Sequence, residues 1–303
     1  MPATYCSEES ERSREQMFAT APGAISVWLL LECPEFWGAN AVQDCHIAHD
    51  LKQWLSQTIK DIPGSRLQLI KQSRSPQDHI TLFVVRAMEQ EQEIRRYVVD
   101  SYEHLIDVDI AAIAAGTDVH ARQKSEEPLF LVCTNGSRDA CCGKWGVQAY
   151  TALAAAAGKS VWQTTHTGGH RFAATMICLP SGICYGRVEP GEVHSIVETA
   201  GQNQIYRLDR YRGRCCYDQT VQAADYFLRD RTGVNAASAY RFAGMESAGD
   251  QQWIVRFIQT EGGATHKLRI TEERTASPMI VSCRSGKKEF LPRQALQDYQ
   301  VES

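Results

Sequence analysis

Residues 129–145 read LFLVCTNGSRDACCGKW, and residues 161–188 read VWQTTHTGGHRFAATMICLPSGICYGRV. Each opens on a short apolar run suited to a buried strand, 129–132 and 161–165. Between them, residues 145–157 (WGVQAYTALAAAA) have the composition of a helix, and Gly158 is placed to stop it. Residues 176–179 and 183–187 flank Pro180-Ser181-Gly182 and read as a hairpin. Strand, helix and strand in succession predict an α/β fold with buried sheets covered by helices. In such folds ligands gather where loops leave the strand ends. Cys133 follows the first strand and His166 the second.

Residues 26–32 (SVWLLLE), 67–71, 80–86 and 95–99 read as further strands. A helix is expected over 44–59, where Ile47, Leu51, Trp54 and Leu55 share one face, and another around 105–115. The polar segment 116–128 marks a first boundary, and an irregular stretch near 205–217 a second. A helix at 218–231 and three strands near 239–242, 253–258 and 266–270 would form a small C-terminal α+β segment. The expected division is 1–120, 121–210 and 211–303.

A length of 303 residues is more than one average domain needs, in keeping with that division. The formal charge of −4 gives no reason to expect nucleic acid. The longest apolar stretch, near Ala24–Leu31, is far short of the ~20 residues that span a bilayer. The first sixteen residues are polar and of mixed charge, unlike a secretion signal. Eleven cysteines, an odd number, argue against a disulfide framework and for a reducing compartment. A soluble, cytoplasmic protein is expected. No CxxC pair occurs, which removes the usual thioredoxin-type dithiol and zinc knuckles.

A lone cysteine or histidine usually packs as an ordinary core residue. Here Cys133, Cys142, His166 and His170 fall together at strand ends, with Gly168-Gly169 between the histidines leaving room for a bulky group. Two thiolates and two imidazoles suit either Zn²⁺ or an iron–sulfur cluster. Zinc would favour one compact cage, whereas a [2Fe–2S] unit needs two ligand pairs.

The stretches CTNGSRDACCG and VWQTTHTGGHRFAATMICLPSGICYGRV resemble the sucrase/ferredoxin-like proteins, a thioredoxin-like ferredoxin family. Cys6-Ser7, Thr20-Ala21, WLLLE and Phe36-Trp37-Gly38 resemble that family's opening region, so the likeness runs from about residue 6 to about 230. It implies two thioredoxin-like units, the first without a cluster and the second with one. It also implies a [2Fe–2S] cluster with Cys133 and Cys142 on one iron, and His166 and His170 on the other. HxxxH stands where thioredoxin-like ferredoxins have CxxxC, as in the family's bis-histidinyl members. Cys141, next to the expected ligand, could substitute for Cys142, which is preferred because Gly143 follows it. The implied role is electron transfer or redox sensing with a redox protein partner, coupled to a proton if an imidazole titrates. The competing readings are a structural zinc module and a thiol oxidoreductase or peroxidase.

Other residues carry weaker signals. Arg138-Asp139 could orient ligands, and Arg171 could offset charge. The basic stretch RYRGRCCYD (210–218) could depress the pKa of Cys215 or Cys216, or dock an acidic partner, against a structural role for both cysteines. Cys178, Cys184, His46 and His49 read as structural.

Overall fold

The computed structural model describes residues 5–73, 78–117 and 123–302. Its centre is a ten-stranded mixed sheet. Helix α1 (Cys6–Arg12) precedes strand β1 (Val27–Glu32), which is buried along its whole length. Helices α2 (Ala41–Asp44) and α3 (His49–Asp61) lead to β2 (Ser65–Lys71), which runs parallel to β1 with Leu29 opposite Leu67. The hairpin β3 (Ile80–Ala87) and β4 (Gln92–Val99) then adds antiparallel on the other side of β1. A 3₁₀ turn at Tyr102–Asp107 and helix α4 (Ile110–Ala115) replace the single helix expected there. Gly116 ends α4 in the left-handed region that glycine adopts without a Cβ penalty. Of the expected linker, residues 118–122 lie outside the described residues, and β5 (Lys124–Ser125) pairs with β4 at the sheet edge.

The second half repeats this order. Strand β6 (Leu129–Cys133), helix α5 (Val147–Ala157) and β7 (Val161–Thr164) make a parallel pair joined by a helix. The hairpin β8 (Met176–Leu179) and β9 (Ile183–Tyr185) packs beside β6. Helix α6 (Val193–Gly201) and strand β10 (Tyr211–Arg214) follow, with β10 paired to β9, so the large sheet continues past residue 210. The halves join where β2 meets β7 antiparallel, Ile70 opposite Thr164.

Alternation along β1 explains the layers, because successive side chains of a strand face opposite sides. Leu29 and Leu31 join the core under α3 and α4, while Trp28 and Leu30 join a second core with Leu131, Trp162 and Ile177 of the other half. The halves therefore pack against each other across the inner face, with the Phe83 and Trp162 rings edge to face at 5.5 Å. The sheet curls until its far strand meets β1, where the Trp28 indole donates to Cys215 Sγ at 3.3 Å.

Helix α7 (Gln219–Thr232) lies on a separate antiparallel sheet of β11 (Tyr240–Gly249), β12 (Gln252–Gln259), β13 (Thr265–Arg274) and β16 (Pro292–Glu302). The three strands expected here are longer than their apolar cores, and β16, mostly polar, had no pattern to announce it. Between β13 and β16 the chain leaves the sheet as an excursion, closed at its base by Thr275 N–H to Leu291 O at 2.9 Å. It carries the two-residue strands β14 (Met279–Ile280) and β15 (Lys288–Glu289). No described helix is long and apolar enough to cross a membrane.

Candidate metal centre

Cys133 is the last residue of β6, and its carbonyl lies against Gly146, where a Cβ would sit only 2.0 Å from that oxygen. Glycine is required there by close approach alone. The chain then turns back so tightly that Gly136 and Gly143 face each other, with a Cβ on Gly143 3.0 Å from Gly136 Cα. Asp139 takes the Cys141 N–H on Oδ1 at 3.0 Å, starting a helix as capping residues do. That helix widens into a π turn over Cys142–Gly146 before it continues as α5. Such turns often mark functional sites.

The histidine loop is fixed by the other half of the protein. Thr165 N–H donates to Leu69 O at 3.0 Å, Leu69 N–H donates to Thr165 Oγ1 at 3.2 Å, and the Arg66 guanidinium donates to His166 O at 3.0 Å. Gly168 and Gly169 both adopt positive φ, and a Cβ on Gly169 would meet the buried Arg212 guanidinium at 2.2 Å. Arg212 donates to Gly168 O at 3.3 Å and Thr20 Oγ1 at 3.1 Å.

Three of the four expected residues converge. His166 Nδ1 lies 3.8 Å from Cys133 Sγ and 3.7 Å from Cys142 Sγ. The three donor atoms lie within 4.8 Å of one another. His170 stands beside them, its Nδ1 3.4 Å from His166 Nε2, while its own Nε2 bonds Val281 O and lies 3.7 Å from Asp139 Oδ2. The sulfhydryl of Cys142 holds the Cys133 pKa well below the ordinary thiol value, against the effect of burial, and His166 adds to this. Donating to Cys133, together with burial, pushes Cys142 well above it. Burial lowers the pKa of His170.

Cys141 points elsewhere, toward Cys6 Sγ at 3.4 Å and Cys283 Sγ at 3.3 Å. Hydrogen bonding from Cys6 and Ser7 pulls its pKa down to about 6. Cys283 arrives on the excursion and Cys6 on α1. Nothing in the sequence joined either of them to Cys141, because each lies more than 130 residues from it along the chain.

The profile of the sucrase/ferredoxin-like family matches residues 19–213. The chain belongs to that family. Over 101 residues this sucrase/ferredoxin-like chain is also 34% identical to altered inheritance of mitochondria protein 32 of Meyerozyma guilliermondii. That match covers 30% of the chain and 36% of the relative, so it spans little more than a third of the curated protein. No solved structure matches the chain.

The remaining expectations divide. Asp139 organises the cysteine loop through backbone N–H groups, Ser282, the Cys6 sulfhydryl and His170 rather than through Arg138, which is turned to Asn40 Oδ1 at 3.4 Å. Arg171 pairs with Glu15. The stretch 210–218 is neither a docking surface nor an activator of thiols. Arg212 and Arg214 are buried and Arg210 is engaged by Glu189 and Glu192, while burial raises Cys215 well above and Cys216 to about 11. Cys178 and Cys184 are core residues, as read from the sequence, and His46 and His49 are exposed.

Proposed function

We propose that Cys133, Cys142, His166 and His170 hold a [2Fe–2S] cluster, and that the protein carries electrons or senses redox state together with a redox protein partner. The observation that carries this reading is the convergence of two thiols and an imidazole, with a second imidazole beside them, at the ends of adjacent parallel strands. The chemistry of the donor set fits the group, with two thiols and two imidazoles close together. When bound, such a cluster supplies a one-electron couple whose potential imidazole ligation raises. Cys142 is favoured over Cys141 because its sulfur faces Cys133 and His166.

The chain's own residues would tune that site. The half-buried Arg66 and the buried Arg212 carry charge that interacts with Cys133, and Arg212 also interacts with Cys142, so both offset negative charge. Val281 O and Asp139 Oδ2 face Nε2 of His170 and are placed to hold a proton there. The two halves are proposed as thioredoxin-like units, on the strength of the strand order repeated on each side of the β2–β7 junction. A reducing compartment such as the cytoplasm suits the eleven free thiols among the described residues.

A second reading has its own support. Cys133, Cys142 and His166 form a compact set without His170, which would suit a single Zn²⁺. Metal and sulfide analysis after anaerobic purification separates the two. The cluster reading expects two irons and two sulfides per chain, with a rhombic EPR signal on reduction, all lost in His166→Ala/His170→Ala. Colourless, iron-free protein after anaerobic reconstitution would overturn it.

A further inference from the structure

We propose that Cys6, Cys141 and Cys283 bind a second metal ion, a Zn²⁺, with Asp139 as the fourth donor. The three sulfurs come from α1, the cysteine loop and the C-terminal excursion, yet Cys141 Sγ lies 3.4 Å from Cys6 Sγ and 3.3 Å from Cys283 Sγ. With the carboxylate of Asp139, all four donor atoms fall within 4.8 Å of one another. Two sulfurs on one tetrahedral zinc, each about 2.3 Å from it, stand about 3.8 Å apart, so a few tenths of an ångström of opening admits the ion. A disulfide joins two sulfurs at about 2.0 Å and leaves no part for a third.

The surroundings are built for thiolates. The indole N–H of Trp145 donates to Ser7 Oγ at 3.0 Å, which occupies that oxygen and leaves its hydroxyl proton free for Cys141 Sγ at 3.3 Å. The backbone N–H of Cys6 donates to Cys283 Sγ at 3.1 Å. Donors aimed at ligand atoms in this way fix and stabilise them. Asp139 Oδ1 faces the Cys6 sulfhydryl at 3.8 Å, and ionisation of that thiol releases the lone pair toward the ion. Its other oxygen remains on Cys283 N–H and the Ser282 hydroxyl. Cys6 and Cys141 are fully buried, so the ion would sit beneath the surface and clamp three remote parts of the chain.

The site is distinct from the cysteine–histidine centre and does not depend on how that centre is filled. The full chain, stripped with a chelator under reducing conditions, is titrated with Zn²⁺ and with Co²⁺ as a spectroscopic probe. The stripped Cys133, Cys142 and His166 set can also take zinc, so the wild type should bind one zinc per chain more than Cys6→Ser/Cys283→Ser, with the matching difference in sulfur-to-cobalt charge transfer and tetrahedral cobalt bands. Cys6→Ser/Cys283→Ser should lack that extra ion and its bands, and the same variant purified anaerobically without stripping should keep the iron of the other centre. Cys283→Ser alone, in a half-buried position, should show the same loss if the double variant fails to fold. Three results would overturn the proposal: equal zinc and cobalt uptake by the wild type and Cys6→Ser/Cys283→Ser, equal uptake by the wild type and Cys283→Ser, or a Cys141 disulfide to either partner in peptide maps of protein never exposed to oxidant.

Discussion

Oδ2 of Asp139 lies 3.7 Å from Nε2 of His170, while the same oxygen accepts the backbone N–H of Cys283 at 3.0 Å. One buried carboxylate thus faces His170 and anchors the excursion that brings Cys283 to Cys141. Partners hold its pKa below the ordinary carboxylate value in spite of burial. In Asp139→Asn, an amide NH₂ group must face at least one of these donors. The expected cost is about 1–3 kcal/mol, the range for a buried group left unpaired. Amide exchange should rise in residues 276–290 and stay unchanged in the α7 sheet. Equal exchange in both would show that Asp139 does not anchor the excursion.

If an imidazole of His166 or His170 takes up a proton on reduction, the midpoint potential must fall as pH rises, because the reduced form binds the proton. The limiting slope for one proton per electron is about 59 mV per pH unit. Protein-film voltammetry from about pH 6 to 9 covers the range of perturbed imidazoles. His166→Cys/His170→Cys should lower the potential and flatten the slope. A flat wild-type profile would remove the proton from the proposal.

Arg212 donates to Gly168 O and Thr20 Oγ1 from a buried position under the histidine loop, where burial lowers its own pKa to about 10. Arg212→Met removes a positive charge and leaves acceptors unpaired. The reduced, more negative centre loses more from this than the oxidised one, so the potential should drop, and stability should fall by about 1–3 kcal/mol. A potential equal to the wild type's would separate Arg212 from the site.

Gly146→Ala places a Cβ 2.0 Å from the Cys133 carbonyl oxygen, and the backbone on both sides must move. Overpacking of this kind typically costs about 1–3 kcal/mol, and here it should also lower metal occupancy at Cys133. Gly191→Ala, with open space around its Cβ position, is the control. Urea midpoints and metal content should change in the first variant and not in the second.

His266 is buried with its ring stacked on Tyr299, whose hydroxyl is 2.7 Å from Nδ1, and burial lowers its pKa. The folded protein therefore keeps the ring neutral, while the unfolded chain protonates it near about pH 6.5. The stability contribution is fully present above that value and is lost as pH falls below it. Urea midpoints between pH 7 and 5 should decline less steeply in His266→Phe than in the wild type. Equal slopes would acquit His266.

The α/β class and most strands were legible in the sequence because they rest on local patterns. The apolar run 26–32 read as a buried strand, and Gly158 after four alanines read as a helix stop, close to where β1 and α5 lie. The close pairing of Cys133 and Cys142 with His166 was also within reach, since it follows from two successive strands ending side by side. What local pattern cannot carry is contact between remote segments. Cys6 and Cys283 are separated by almost the whole chain, and β16 is too polar to declare itself a strand. The arginines of 210–218 looked like a solvated basic surface, yet curling of the sheet buries Arg212 and Arg214. The sequence by itself determined most of the elements and pointed to Cys133, Cys142 and His166, which the fold brings together. Tertiary structure alone decided that adjacent Cys141 and Cys142 serve different neighbourhoods, because only packing of α1 and the excursion brings partners to one of the two sulfurs.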